Sequence, residues 1–277
     1  MRFVLCDVFS DRPLAGNQLA VFTDAVGIAE DLLQPLAREI NFSETVFVYP
    51  PADPGATARI RIFVPTQEIP FAGHPVLGTA VVLGRERGLN ELVLETGQAP
   101  VPVRLAGNGG TMRQPLPAVR PYEEAERALR ALGADRSLHP VEVYDNGMCH
   151  VYVRLESEAA VAALRPDLSA LAQIPGAHGY GFNVFAGSGT AYTTRMFAPS
   201  DGVDEDPATG SAAGPLACLL VRHGEVASGT ELTISQGAQV GRPSTLYARA
   251  EATAAEITAV EVRGNAVIVG EGRFQLP

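Results

Sequence analysis

One short pattern occurs twice in this chain, far apart and in the same order relative to its surroundings. "RIFVPT" (61–66) and "RMFAPS" (195–200) both read Arg, apolar, Phe, apolar, Pro, hydroxyl. Twelve residues after Arg61 stands Gly73-His74, and fifteen after Arg195 stands Gly210-Ser211. Further on, "ELVLETG" (91–97) answers "ELTISQG" (231–237), so the offset between the halves drifts only from 134 to 140. A weaker match sets "NFSETVFV" (41–48) against "NGMCHVYV" (146–153). Ordered self-similarity of this kind marks an internal duplication. It predicts two similar units related by a pseudo-two-fold axis, with a cleft between them that both Gly loops reach.

The local patterns predict an α+β fold with mostly antiparallel sheet. Short Val/Ile/Phe-rich runs such as 2–9, 19–23, 45–50, 58–65 and 91–96 read as strands, and a similar series fills 141–276. Helical patterns are fewer: 30–40, 74–84, 123–133, 158–166 and 209–224. The proline-containing stretch "MRQPLPAVRPY" (112–122) lacks an apolar period and reads as the linker between a first unit, 1–116, and a second, 122–265.

With 277 residues, 46% of them apolar, the chain has ample material for a core. A formal net charge of −10 argues against nucleic-acid binding and against a polybasic membrane surface. It does not argue against a small carboxylate, which needs only a local positive potential. The three cysteines, Cys6, Cys149 and Cys218, match no zinc spacing and fit a reducing cytosol. The N-terminal stretch carries no long apolar signal core, and the apolar run 75–83 is too short to span a bilayer. These features predict a soluble cytoplasmic protein.

The Gly loops suggest a ligand site. Glycine lets a ligand approach backbone N–H groups, and Pro75 after His74 suits the first turn of a helix. Free N–H groups at a helix start attract a negative group, by about 0.3–1 kcal/mol per charge when exposed and more when partly buried. Two such starts converging on one cleft, at Gly73 and Gly210, would favour a carboxylate. The plainer reading of either loop alone is a tight turn into a helix.

Candidate acid–base groups are Glu44, Glu68, His74, Glu205 and Asp206. Glu44 stands just before a Val/Phe strand, where partial desolvation would raise its pKa toward neutrality and suit it to proton transfer. The plainer alternative is a surface or helix-end glutamate. His74 alone reads more readily as a structural hydrogen-bonding histidine, and Asp206 as a cap for the helix that follows. His139, His150, His178 and His223 have no companions in the sequence and read as structural or exposed.

The segments "DVFSDRPLAGNQLAVF", "NFSETVFV", "RIFVPTQEIPFAGHPVLGTA", "DNGMCHVYV", "RMFAPSDGVDEDPATGSAAGPLA" and "SQGAQVGRPS" together resemble the phenazine-biosynthesis PhzF-like family, within the diaminopimelate epimerase fold. The resemblance covers essentially the whole chain. It implies two pseudo-two-fold-related domains, each a mostly antiparallel sheet wrapped around a central helix, with the C-terminal strand 266–277 returning to the first. It implies a homodimer and a cofactor-independent isomerase that moves a proton within trans-2,3-dihydro-3-hydroxyanthranilate to give an enol. Glu44 matches the family glutamate that carries the proton. His74 and Asp206 match catalytic neighbours, and Ser43, Gly73, Gly210 and Ser211 match the substrate-binding positions. The epimerase relatives carry one thiol in each Gly loop; here "AGHPVLG" and "DPATGSAAG" hold none, which disfavours two-thiol racemisation.

Other chemistries fit less well. Ser211, His74 and Asp206 form a hydrolase-like set, but "TGSAAG" is not a G-x-S-x-G elbow. One histidine beside acids is no metal ligand set, and "GSGT" (187–190) lacks the Lys of a phosphate loop.

Overall fold

The computed structural model describes residues 1–254 and 256–276. Ala255 and Pro277, which fall in the expected second unit and in the returning C-terminal segment, lie outside the described residues. The chain runs β1 (Arg2–Val8), β2 (Asn17–Phe22), α1 (Glu30–Ile40), β3 (Glu44–Tyr49), β4 (Ala58–Phe63), β5 (Glu68–Ile69), α2 (Gly73–Arg87), β6 (Glu91–Glu95), β7 (Pro100–Ala106) and β8 (Gly109–Arg113). It continues through β9 (Ala118–Pro121), α3 (Ala125–Leu132), β10 (Glu142–Asp145), β11 (Cys149–Arg154), α4 (Glu158–Ala163) and α5 (Leu168–Ala172). The last elements are β12 (Tyr180–Ser188), β13 (Ala191–Ala198), β14 (Val203–Asp206), α6 (Gly210–Arg222), β15 (Leu232–Gln236), β16 (Ser244–Ala252) and β17 (Ile257–Arg273).

The duplication is explicit in the strand pairing. In the first half β2–β3 is parallel, β3–β4 antiparallel, β4–β6 parallel, and β6–β7 and β7–β8 antiparallel. In the second, β11–β12, β12–β13, β13–β15, β15–β16 and β16–β17 repeat that series in order. This corrects the weaker match. β3 corresponds to β12, and "NGMCHVYV" is the counterpart of "AGNQLAVF", not of "NFSETVFV". In that frame Gly147 stands opposite Gly16, and both have positive φ.

Of the proline-containing seam, only residues 114–117 and 122 lie outside strands. Residues 118–121 form β9, which pairs with β10 of the second half, while residues 266–273 of β17 pair with β1 of the first. Each half thus lends a strand to the other. Where the two arms cross, β8 and β17 pair antiparallel, with Gly110 opposite Gly264 and Gly109 opposite Asn265. Among the described residues β9 has a register partner in β10 alone, so Pro121 is tolerated because the other edge needs no donor.

Two kinds of helix follow from two kinds of sequence. α1 and α3 are amphipathic, and each lays one face on the outside of a sheet. α2 and α6 are apolar or small on every side. From Gly73 to Ala80 and from Gly210 to Leu220 every residue is buried, as a helix enclosed by sheet requires. The largest core cluster surrounds both of these helices, and two smaller clusters lie under the outer helices of each half. Arg61 and Arg195, the duplicated arginines, play the same local part. Arg61 binds Glu68 (2.8 and 2.6 Å) and Arg195 binds Glu205 (2.9 and 2.7 Å), each bidentate across its hairpin.

Candidate active site

The buried helices α2 and α6 begin at the same place. A Cβ on Gly73 would fall 2.4 Å from Gly210 C and from Ser211 N. A Cβ on Gly210 would fall 3.0 Å from Gly73 C and 2.8 Å from the Phe9 ring. Only glycine at both positions allows two backbones this close. The N-caps, Ala72 and Thr209, give no side-chain acceptor to their helices, so the first N–H groups are left uncapped. Two positive helix ends therefore meet at the junction of the halves.

Around the start of α2 lies a carboxylate–imidazole cluster. Glu44 opens β3, and its Oε2 lies 3.5 Å from His74 Nε2. Neither atom has a hydrogen-bond partner in the protein. Asn17, from β2, donates Nδ2 to Asp206 Oδ1 (2.8 Å) and to Ala208 O (3.0 Å), and lies 3.2 Å from His74 Nδ1. Asp206 also accepts from Thr209 Oγ1 (2.6 Å) and from the Ser43 side chain. Gln236 closes the far side: its Nε2 donates to Asp206 O and Thr209 Oγ1 (both 2.8 Å), and its Oε1 accepts from Thr209 N (3.1 Å).

Burial sets the protonation of this cluster. It pushes Glu44 well above the usual carboxylate range, and the nearby charge of Asp206 adds to the effect. It lifts Asp206 to about 6, against hydrogen bonds from Thr209, Ser43 and Asn17 that act the other way. It pushes His74 down to about 3, with a hydrogen bond to the backbone of Gln18 opposing. At neutral pH His74 is thus a neutral imidazole, facing a carboxyl whose hold on a proton is strengthened by burial, and not the cation of an ion pair.

Around the start of α6 the picture differs. Pro215 has no N–H, so the helix leaves Ser211 O without its usual donor. Asn146 Nδ2 supplies one at 2.9 Å. Gln114 Nε2 donates to Gly210 O (2.8 Å) and Tyr152 O–H to Ala212 O (2.6 Å). His150 Nε2 lies 3.1 Å from Ser211 Oγ. Among the described residues, eight buried side-chain atoms lack partners, and six belong to these two clusters: Asn17, Glu44, His74, Gln114, Asn146 and Asn183. Native interiors leave few such atoms, so their concentration here marks a place built to receive polar groups. A cavity of about 490 Å³ opens beside it, between Ser43 and Pro65 of the first half and Leu168, Arg195 and Val240 of the second.

All seven residues singled out for the site, Glu44, His74, Asp206, Ser43, Gly73, Gly210 and Ser211, come together in these two clusters. Glu68 and Glu205 do not; both are held by their hairpin arginines. The hydrolase-like set also fails, because His74 faces Glu44 while the imidazole at Ser211 is that of His150. His150, without companions in the sequence, is buried and in contact with Ser211. Asn17, Gln114, Asn146, Thr209 and Gln236 had no signal of their own; all but Gln114 fall in segments that carry the family resemblance. His178 is exposed, and His139 stacks on His223 with Glu225 and Glu142 beside them.

The sequence profile described as "Phenazine biosynthesis-like protein" matches residues 6–272. The chain belongs to this phenazine biosynthesis-like family. It is 47% identical to the trans-2,3-dihydro-3-hydroxyanthranilate isomerase of Pseudomonas aeruginosa, over 99% of both chains. Its fold is similar to that of a Bacillus anthracis PhzF-family protein, with a TM-score of 0.86 at 23% identity over 100% of this chain and 99% of that one. It is similar too to a predicted epimerase from Pseudomonas aeruginosa, with a TM-score of 0.82 at 32% identity over 100% and 99%. Within this family frame the thiols stand apart from the two helix starts. Cys218 lies inside α6 with its pKa pushed up to about 12 by burial, and Cys6 is buried and raised further. No helix among the described residues is long and apolar enough to cross a membrane.

Proposed function

We propose that this chain is a cofactor-independent isomerase acting on trans-2,3-dihydro-3-hydroxyanthranilate in phenazine biosynthesis. One observation carries the reading: Glu44 and His74 present two unpartnered buried atoms to each other at the junction of two helix starts. Full-length identity to an isomerase of that name supports the substrate.

The chemistry follows from the site and the substrate. The substrate carboxylate binds at the paired helix starts, held by the backbone of Gly73 and Gly210 and by the Ser211 and Ser43 hydroxyls. Ionised Glu44 takes the proton from the hydroxyl-bearing ring carbon. The electron pair moves through the conjugated diene to the carboxylate-bearing carbon, and Glu44 returns the proton there. The product is an enol, which tautomerises to the ketone. Bonds and protons balance without a redox partner. His74 hydrogen-bonds Glu44 between its two states, and Asp206, fixed by Asn17, Thr209 and Gln236, contacts the polar substituents of the ring. Burial of the cluster supports proton retention, because water that would exchange the proton is excluded.

The two units are 1–116 with 266–276, and 122–265, with the site in the cleft between them. Access to a cluster this buried calls for the halves to move apart and close again. The protein works in the cytoplasm as a homodimer, which sedimentation of the purified protein tests. The function itself is tested by incubation with the dihydro-hydroxyanthranilate and absorbance readout. Loss of the substrate diene by the wild type and not by Glu44→Gln is the expected result. A folded wild type that leaves the substrate untouched would send the search to other small carboxylates.

A further inference from the structure

His150 takes no part in the proton transfer, yet it is 1% exposed and touches the start of α6. Its second nitrogen, Nδ1, lies 3.3 Å from Asn183 Nδ2. The orientation of the Asn183 amide is fixed independently, because Nδ2 also faces Gly181 O at 2.9 Å and Val151 O at 3.4 Å. An oxygen in that place would face two carbonyls. Nδ1 of His150 therefore meets an N–H donor and carries no proton itself. A buried neutral imidazole with a bare Nδ1 holds its proton on Nε2. That nitrogen is 3.1 Å from Ser211 Oγ. The ring lies against Gly181, where a Cβ would stand 3.0 Å from Nδ1 and crowd it.

We infer that His150 is a positioning residue for the substrate carboxylate: it donates from Nε2 to Ser211 Oγ and so leaves the Ser211 hydroxyl proton free to point at the ligand. The opposite tautomer would accept the Ser211 proton, as the base of a serine hydrolase does, and would leave the hydroxyl unable to donate to an anion. The choice between an anion clamp and a nucleophile thus rests on the Asn183 amide. This deepens the proposed function and rests on its reading of Ser211 as a carboxylate contact.

The test joins a spectroscopic and a kinetic readout. In the wild-type protein labelled with ¹⁵N-histidine, long-range ¹H–¹⁵N correlation should give His150 a protonated Nε2 and a bare Nδ1, the resonance being assigned by its loss in His150→Phe. A protonated Nδ1 would overturn the inference, and this measurement needs no variant to be active. Kinetically, His150→Phe and Ser211→Ala should each raise KM about tenfold with a smaller change in kcat, and the double variant should be no worse than Ser211→Ala. Additive losses would mean that His150 acts other than through Ser211. If the wild type proves inactive on the dihydro-hydroxyanthranilate, the substrate reading fails. Binding of the aromatic probe 3-hydroxyanthranilate to the same variants then decides the inference on its own: tenfold, non-additive weakening supports it, and unchanged affinity overturns it.

Discussion

The two helix starts are products of one duplication, and they have been put to different uses. At α2 the polar groups are left open toward each other: Glu44 and His74 have no other partners for the atoms they aim at the junction. At α6 the carbonyls of Gly210, Ser211 and Ala212 are each given a donor by Gln114, Asn146 and Tyr152. The register of the parallel strand pairs shows how the frame was varied. In the first half Leu19 of β2 lies beside Glu44 of β3; in the second His150 of β11 lies beside Gly181 of β12. The polar group has changed strands, and on the proposed mechanism the second start holds what the first transforms. That mechanism sets an asymmetric reaction on a symmetric scaffold, with the proton carrier on one side only.

The sharpest way to break this contrast is to neutralise each start in turn. Glu44→Gln should lower kcat by about a thousandfold or more while leaving affinity for 3-hydroxyanthranilate within a few-fold, since it removes only the proton carrier. Comparable turnover losses for Ser211→Ala would erase the distinction between carrier and clamp.

The close approach of the starts predicts the next largest effect. Gly73→Ala should destabilise the fold by about 3 kcal/mol, because its Cβ meets immovable backbone. Gly88→Ala meets nothing within 4 Å and is strained only by its φ of +67°, so it should cost about 1 kcal/mol. Equal shifts in chemical denaturation would contradict the geometry.

A third difference lies in pH dependence. Because burial raises Glu44 above its ordinary pKa, the folded state binds a proton that the unfolded state has already released. Its stabilising share is complete below the unfolded value and is lost as pH rises through the raised one. Glu44→Gln should therefore be more stable than wild type at pH 8, with the gap closing toward pH 4 in chemical denaturation. The kcat/KM of the wild type should rise with pH along an acid limb set jointly by Glu44 and by Asp206, the latter near 6. A limb at about 4.3, where an ordinary glutamate titrates, would contradict the desolvation of the site.

A further difference concerns the Pro215 gap. Asn146→Ala should cost about 1–2 kcal/mol, because it leaves Ser211 O unpaired. In a Pro215→Ala background the helix supplies the missing N–H, and the cost should fall by about half or more. A cost unchanged by Pro215→Ala would mean that Asn146 matters for some other contact.

Much of this was legible from the residues, for definable reasons. Arg61 and Arg195 announced the duplication because a bidentate ion pair across a hairpin restricts its sequence, and both pairs survive. Gly73 and Gly210 were legible because backbone contact tolerates no other residue. The cross-half strands were not. A segment such as 118–121 carries no core-facing alternation, since its partner lies in the other half and only the fold supplies it. The match of 41–48 to 146–153 went astray because strand texture repeats easily, whereas the order of parallel and antiparallel pairs does not. Asn17, Asn146 and Gln236 were silent for a related reason: an amide is an ordinary residue until the groups it satisfies, far off in sequence, are brought to it. His150 belongs with them.

The central claim is that one shielded carboxylate removes the proton and gives it back. Turnover of the dihydro-hydroxyanthranilate in deuterated water, followed by NMR, addresses it most directly. The account predicts consumption by the wild type, none by Glu44→Gln, and substantial protium, carried over from the substrate, at the carboxylate-bearing ring carbon. Full deuterium at that carbon, together with turnover surviving in Glu44→Gln, would contradict it.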